Sequence, residues 1–205
     1  MDPTHRPLLP PLPGPSSILA EIEQAVPAPG APTSPEQTST WIRDLELMHH
    51  FTTDVCKTLS ARKEVQDVWG LVMPQMAFSC DYLMHGILAL SALHLATLKG
   101  ENKSSYIDCS MAHFHCSLST YNQVLPNIAA DNCLTLFALS SLVTVHVCAL
   151  PIVDEAGPYL ERIMTLFNMC RGVETILSPY TSLIQESSLK PMLQDDYRLN
   201  WKYPG

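Results

Sequence analysis

The chain has 205 residues, 46% of them hydrophobic and only eight of them glycine; with no alternating apolar runs, this excludes a β-rich architecture and fits a mostly helical one. Twenty acidic against twelve basic side chains give a formal net charge of -8, and the densest basic group is the pair Arg62-Lys63, followed at once by Glu64, so there is no basic stripe to neutralise phosphates. Seven scattered cysteines, none nearer than seven residues to the next, and no signal peptide in Met1-Asp2-Pro3-Thr4-His5-Arg6 imply free thiols in a reducing compartment.

Residues 1–40 hold ten of the seventeen prolines and no aromatic residue, so they cannot bury enough apolar surface to fold and read as a disordered Pro/Ser-rich arm. Within it, Arg6-Pro7-Leu8-Leu9-Pro10-Pro11-Leu12-Pro13 looks like a polyproline ligand, but its arginine is one residue out of the usual register, which favours a plain solvated linker. Ile18, Leu19, Ile22 and Val26 are spaced for two helical turns, too few to stand alone in water.

From Trp41 the pattern is helical. Leu45, Met48, Thr52, Val55 and Leu59 recur at steps of three and four on a first helix ending near Ser60; Val65, Val68, Trp69 and Val72 do the same on a second, which Pro74 is expected to stop. A third runs from about Cys80 to Leu98, with Ser79 as N-cap and no charge between Asp81 and Lys99, so nearly every face must be wrapped by other elements. On a fourth, Ile107, Met111, Phe114, Leu118, Tyr121 and Leu125 define one apolar stripe, with serines and asparagines opposite. A fifth spans about Asn132 to Leu150 before Pro151, a sixth Pro158 to Arg171, and a weaker seventh Tyr180 to Leu189. The fold expected is all-α: a single irregular domain of about six or seven helices over 41–205.

Asn132 to Val153 is free of charge for long enough to span a bilayer. Its Thr135, Ser140, Ser141, Thr144 and His146, and acidic flanks without Lys or Arg, favour the core helix of an all-α domain over a membrane span.

Candidate chemistry is sparse. Cys109, His113 and Cys116 share one helical face, and His49, His50 and Asp54 form a second partial set, but neither shows a fourth metal ligand, and packing in a reduced core explains both. A Cys-His nucleophile lacks an orienting carboxylate and an oxyanion-forming glycine turn, so no catalytic residue, metal or cofactor is assigned. His85 and His94 are nine residues apart and point to opposite sides of their helix, as core or pocket-wall histidines bonded to neighbours.

Three separated segments carry a family likeness: Leu45-Glu46-Leu47-Met48-His49-His50-Phe51, the tryptophan-led Trp69 to Pro74, and Met84-His85-Gly86-Ile87-Leu88-Ala89-Leu90-Ser91-Ala92-Leu93-His94-Leu95-Ala96. With Leu166 to Val173 around Arg171-Gly172, they resemble the regulatory middle region of fungal zinc binuclear-cluster transcription factors of the sterol-uptake-control type, over about residues 41–177. That family's DNA-binding module has repeated Cys-x2-Cys-x6-Cys spacing, which these cysteines cannot form, and its regulatory region runs longer than the residues after Trp41; the resemblance therefore implies a shortened form without the module.

The resemblance implies a nuclear, non-enzymatic regulator of lipid or secondary-metabolite genes, whose domain shifts between repressed and active conformations. A lipophilic small molecule would lodge between the third and fifth helices, with Met84, His85, Ile87, Ser91, His94, Phe137, Ser141 and His146 as candidate walls. A homo- or hetero-dimer with a related regulator is expected, with no direct DNA binding by these residues and no membrane; the alternative is an interaction protein that modulates a full-length relative through helix pairing.

Overall fold

The computed structural model describes residues 35–98, 100–153 and 177–193, with side chains described from Thr40 onward except at 101 and 151–153. Seven helices and no strand are found among these residues. Most of the expected arm, the expected sixth helix (Pro158 to Arg171) and the Leu166 to Val173 segment lie outside them, although the first helix already begins at Pro35, inside the span read as arm.

Helix α1 covers residues 35–58 as Pro35–His50, a π-helical turn Phe51–Val55 and a last turn Cys56–Thr58. The sequence explains the widened turn. Thr52 Oγ1 donates to Met48 O at 3.2 Å and Thr53 Oγ1 to His49 O at 2.9 Å, so two hydroxyls occupy carbonyls that the ladder would otherwise use. The extra residue turns Phe51, Val55 and Cys56 into the core.

Helix α2 covers 63–77 as Lys63–Asp67, a second π turn Val68–Val72, and Met73–Ala77. Pro74 does not stop it, contrary to the sequence reading. A proline has no N–H for the carbonyl four residues back and its ring collides with that carbonyl; the π turn ending just before it widens the backbone there, and Pro74 then occupies the first turn of a new α segment. Gly70 of the second π turn meets Cys56, just after the first: a Cβ at 70 would lie 3.1 Å from Cys56 Sγ, so only glycine allows this approach without a shift.

Helix α3 (Asp81–Leu98) is central and packs most extensively on α4 (Lys103–Val124), then on α5 (Cys133–Val153). Its cap is Cys80, not Ser79, since Leu83 N and Met84 N both donate to Cys80 O at 3.0 Å. Burial is nearly all-round, as its charge-free sequence requires: Leu83, Ile87, Ala89 and Ala92 are wholly inaccessible. Each fully buried Leu or Ile is worth about 1.5–3 kcal/mol relative to exposure.

The expected stripe on α4 packs against the apolar clusters except at Met111, but two serines expected to be solvent-facing are buried beside it. The buried residues of α4 are Tyr106, Ser110, Ser117 and Tyr121, while Met111 is 44% exposed and Ile107, Phe114, Leu118 and Leu125 lie at the border. Ser110 Oγ donates to Ala89 O at 2.8 Å and Ser117 Oγ to Tyr82 O at 2.7 Å. Small hydroxyl side chains against the Gly86 and Ala89 surface of α3 let the two backbones approach, and each hydroxyl finds a carbonyl on arrival, so the serines are buried beside the apolar stripe.

Helix α5 continues past Pro151 to Val153, so that proline also fails to end its helix; it removes one ladder bond in the final turns, where few remain to be lost. Cys133–Leu150 is long and apolar enough to cross a membrane by length and composition. In this fold its Cys133, Leu136, Ala138, Leu139 and Leu142 are buried in the main core with α3. The expected seventh helix, Tyr180 to Leu189, is shortened to α6 (Thr181–Glu186), because Ser187 is extended and its hydroxyl accepts from Leu189 N at 3.1 Å; a separate short helix, α7 (Lys190–Leu193), follows beyond the expected span. Leu177, Ile184 and Leu189 join the core, and Arg62 Nη1 ties α7 to the start of α2 through Pro191 O at 3.3 Å.

Candidate functional site

The polar side chains of the domain concentrate where α1 crosses α3 and α4. Leu47, wholly buried, receives at its carbonyl the Ser91 hydroxyl of α3 at 2.6 Å. Arg43 reaches α4, donating from Nη2 to both the carbonyl and the hydroxyl of Ser105 at 3.0 Å and lying 5.2 Å above the Tyr106 ring; Tyr106 in turn donates to Glu46 at 3.3 Å.

Two histidine pairs flank this crossing. His50 Nε2 of α1 lies 2.9 Å from His94 Nδ1 of α3, and Asp54 Oδ2 is 3.4 Å from the other His50 nitrogen. His85 Nδ1 of α3 lies 2.9 Å from His113 Nδ1 of α4, and Asp44 Oδ1 of α1 is 3.3 Å from His113 Nε2. Burial, opposed by Asp54, pushes the His94 pKa down; burial also pushes His113 down, against the pull of Asp44. The Asp54 carboxyl is lowered, chiefly by the Thr53 hydroxyl at 2.8 Å.

A third histidine belongs to the α4–α5 seam. His146 is 1% exposed, donates from Nε2 to Ser110 Oγ at 2.8 Å, whose own hydrogen goes to Ala89 O, and stacks on Phe114 with ring centroids 4.0 Å apart. Its Nδ1 is buried and finds no hydrogen-bond partner among the described residues. Burial alone pushes its pKa down to about 4, so it is neutral at physiological pH. Nearer the C-terminal end of α4, Tyr121 bonds Ser140 at 2.9 Å, and Tyr82 of α3 bonds Thr135 of α5 at 2.6 Å with its phenol pushed up to about 12, mainly by burial.

The eight candidate wall residues are therefore distributed, not gathered. Ile87 and Ser91 are buried, Ser91 on Leu47; His85 and His94 leave α3 in opposite directions toward α4 and α1; Met84 is half-buried between the two apolar clusters. Phe137 is half-buried, and Ser141 bonds back to the Phe137 carbonyl at 3.0 Å. At Gly86 the third and fifth helices touch directly, since a Cβ there would lie 2.7 Å from Leu139 Cδ1. Only His146 among the eight presents a buried, unpartnered polar atom.

The two sets weighed as metal ligands are also dispersed. His113 turns to His85 and Asp44 while Cys116 is exposed, and His49 is exposed while His50 turns to His94. No three His, Cys, Asp or Glu side chains among the described residues converge to hold a metal ion. Sequence reasoning missed the pairings themselves, together with Asp44 and Ser110, because they join residues 28 to 44 positions apart and leave no local spacing to read.

The described residues form an all-α body centred on a charge-free helix, with polar contacts that join its helices. Residues 46–195 match the fungal specific transcription factor domain, which covers well over half of the chain, and the chain belongs to that family. A Zn(2)-C6 fungal-type transcription factor of Gibberella zeae is 30% identical over 174 residues, which is 77% of this chain and 35% of that protein. Sterol uptake control protein 2 of Candida albicans is 37% identical over 91 residues, 43% of this chain and 12% of that protein; its namesake of Saccharomyces cerevisiae is 41% identical over 54 residues, 26% of this chain and 6% of that protein. The chain thus spans about a third of the Gibberella relative and much less of the other two.

Proposed function

We propose that this domain is the effector part of a nuclear transcriptional regulator of lipid or secondary-metabolite genes, and that it responds to a lipophilic small molecule. Kinship with zinc-cluster factors supports the regulatory role, and the sterol uptake control relatives support the lipid connection. The ligand reading is carried by His146: a neutral imidazole stacked on Phe114 keeps Nδ1 buried and without a partner among the described residues, and a single ligand hydroxyl would satisfy it. Binding there favours whichever arrangement of α4 and α5 admits the ligand, which is how a small molecule biases a two-state domain.

The scattered basic residues and net charge of -8 favour action through a homo- or hetero-dimeric partner over direct contact with DNA by these residues. The same observation supports the second reading, an interaction protein that modulates a full-length relative. Tethering the chain to an unrelated DNA-binding module upstream of a reporter separates the two. A change in transcription that follows sterol supply supports the effector reading, whereas silence when tethered, combined with co-purification of a relative, supports the modulator. Thermal unfolding with ergosterol and fatty acids tests the ligand directly: the midpoint should climb with the logarithm of ligand concentration, and an unmoved midpoint at saturation removes the sensor.

A further inference from the structure

We propose that the buried end of His146 accepts a hydrogen and has none to give, so that the domain takes a lipophilic molecule presenting a free hydroxyl or N–H group and rejects the matching ketone, ester or carboxylate. This rests on the His146 ligand reading and adds to it the direction of the hydrogen bond, and with it the chemical class of the ligand.

One serine fixes that direction. Ser110 Oγ lies 2.8 Å from Ala89 O and 2.8 Å from His146 Nε2, and it owns a single hydrogen. A carbonyl oxygen cannot donate, so unless the hydroxyl hydrogen points at Ala89 O, two oxygens face each other with lone pairs only. With its hydrogen committed there, Ser110 can only accept from His146, and the imidazole hydrogen therefore sits on Nε2. The ring is neutral, because burial holds its pKa at about 4, so it carries no second hydrogen. Nδ1 is left as a bare lone pair, buried and without a partner among the described residues.

The stacking restricts how that lone pair is reached. Phe114 covers one face of the imidazole, with ring centroids 4.0 Å apart and planes 11° from parallel. A partner must come in the plane of the ring, along the Nδ1 lone pair, where only a hydrogen is attracted. A hydroxyl or N–H supplies one. A ketone or ester oxygen sets lone pair against lone pair, and a carboxylate adds a buried charge that a neutral ring does not compensate. Leaving a buried acceptor unsatisfied lowers affinity by about tenfold to a hundredfold, so the group at one end of the ligand decides whether an otherwise similar apolar body is held.

The test uses the full chain and probes that differ in one group: ergosterol against the corresponding 3-ketone and 3-acetate, and hexadecanol against palmitate. Dissociation constants are read from ligand-dependent thermal unfolding. Each alcohol should bind at least about tenfold tighter than its counterparts, the ketone being the critical probe because it is no larger than the alcohol. His146→Phe keeps a ring beside Phe114 and removes the acceptor, so its preference for alcohol over ketone should fall below about threefold. If that variant fails to fold, Ser110→Ala takes its place: without the serine, the imidazole hydrogen is free to move to Nδ1 and donate to the ketone, and the preference should fall by the same margin. In wild type without ligand, nitrogen-15 spectra of the histidine-labelled chain should show the His146 hydrogen on Nε2. A hydrogen on Nδ1, equal binding of alcohol and ketone by wild type, or a preference that survives in the variant, overturns the inference and leaves the ligand reading standing. If no probe moves the midpoint, the ligand reading itself falls and the inference falls with it.

Discussion

Gly86 of α3 and Leu139 of α5 meet so closely that a β-carbon on residue 86 would lie 2.7 Å from Leu139 Cδ1, with Leu142 Cδ1 at 3.3 Å and Ser117 Oγ at 3.5 Å. Three helices therefore converge on one absent side chain. Alanine at 86 gains about 1 kcal/mol of helix propensity over glycine, against an overpacking cost of about 1–3 kcal/mol in a core with no spare volume. We expect Gly86→Ala to lose about 1 kcal/mol and Gly86→Val about 3 kcal/mol by urea denaturation. A Val variant as stable as wild type would mean that α3 and α5 separate readily.

Phe114 lies at the border of the α4 face and stacks on His146, so its truncation costs less than removal of a fully buried ring. Phe114→Ala should destabilise by about 2 kcal/mol, below the ~3–5 kcal/mol typical of core phenylalanines. Phe114→Leu should recover about half, because area returns while the stack does not. If both variants melt with wild type, the ring adds nothing to the α4–α5 seam.

His146 sets a pH dependence of definite sign. Its pKa in the fold is about 4 against 6.5 unperturbed, so between those values the unfolded chain binds a proton that the folded chain refuses. That contribution is absent above pH 6.5; as pH falls toward 4, stability drops by about 1.4 kcal/mol per unit, to about 3 kcal/mol in all. His146→Phe keeps a ring for the stack and removes the proton site, so its stability profile over this range should be flatter by that slope. Parallel profiles for variant and wild type would show that His146 is readily protonated in the fold.

A basic surface sufficient for DNA would have to come from twelve dispersed Lys and Arg residues, the closest pair being neutralised on one side by Glu64 and, through the Lys63–Asp67 contact at 2.6 Å, on the other. These 205 residues alone should show no site-specific gel shift at physiological salt, with or without zinc. A salt-sensitive, sequence-specific shift would reveal a phosphate-binding surface assembled from residues distant in sequence.

The α3 and α5 helices were legible because charge-free runs of such length leave a folded chain few choices, and the family likeness was legible because Leu45 to Phe51, Trp69 to Pro74 and Met84 to Ala96 keep their order. Hydrophobic periodicity found the packed stripe of α4 except for Met111 but missed two serines, since it ranks side chains by apolar area and cannot anticipate that Ser110 and Ser117 close onto the carbonyls of Ala89 and Tyr82. Local proline rules likewise failed at Pro74, where a π turn set up by the preceding residues absorbs the missing N–H. Residue types and periods thus determined the class, the helices and the lack of a basic surface. Which polar atoms meet was decided only by tertiary structure: the His50–His94 and His85–His113 bonds and the orphaned Nδ1 of His146 depend on crossing angles that are set by small residues such as Gly70 and Gly86, and a crossing is a property of two helices at once.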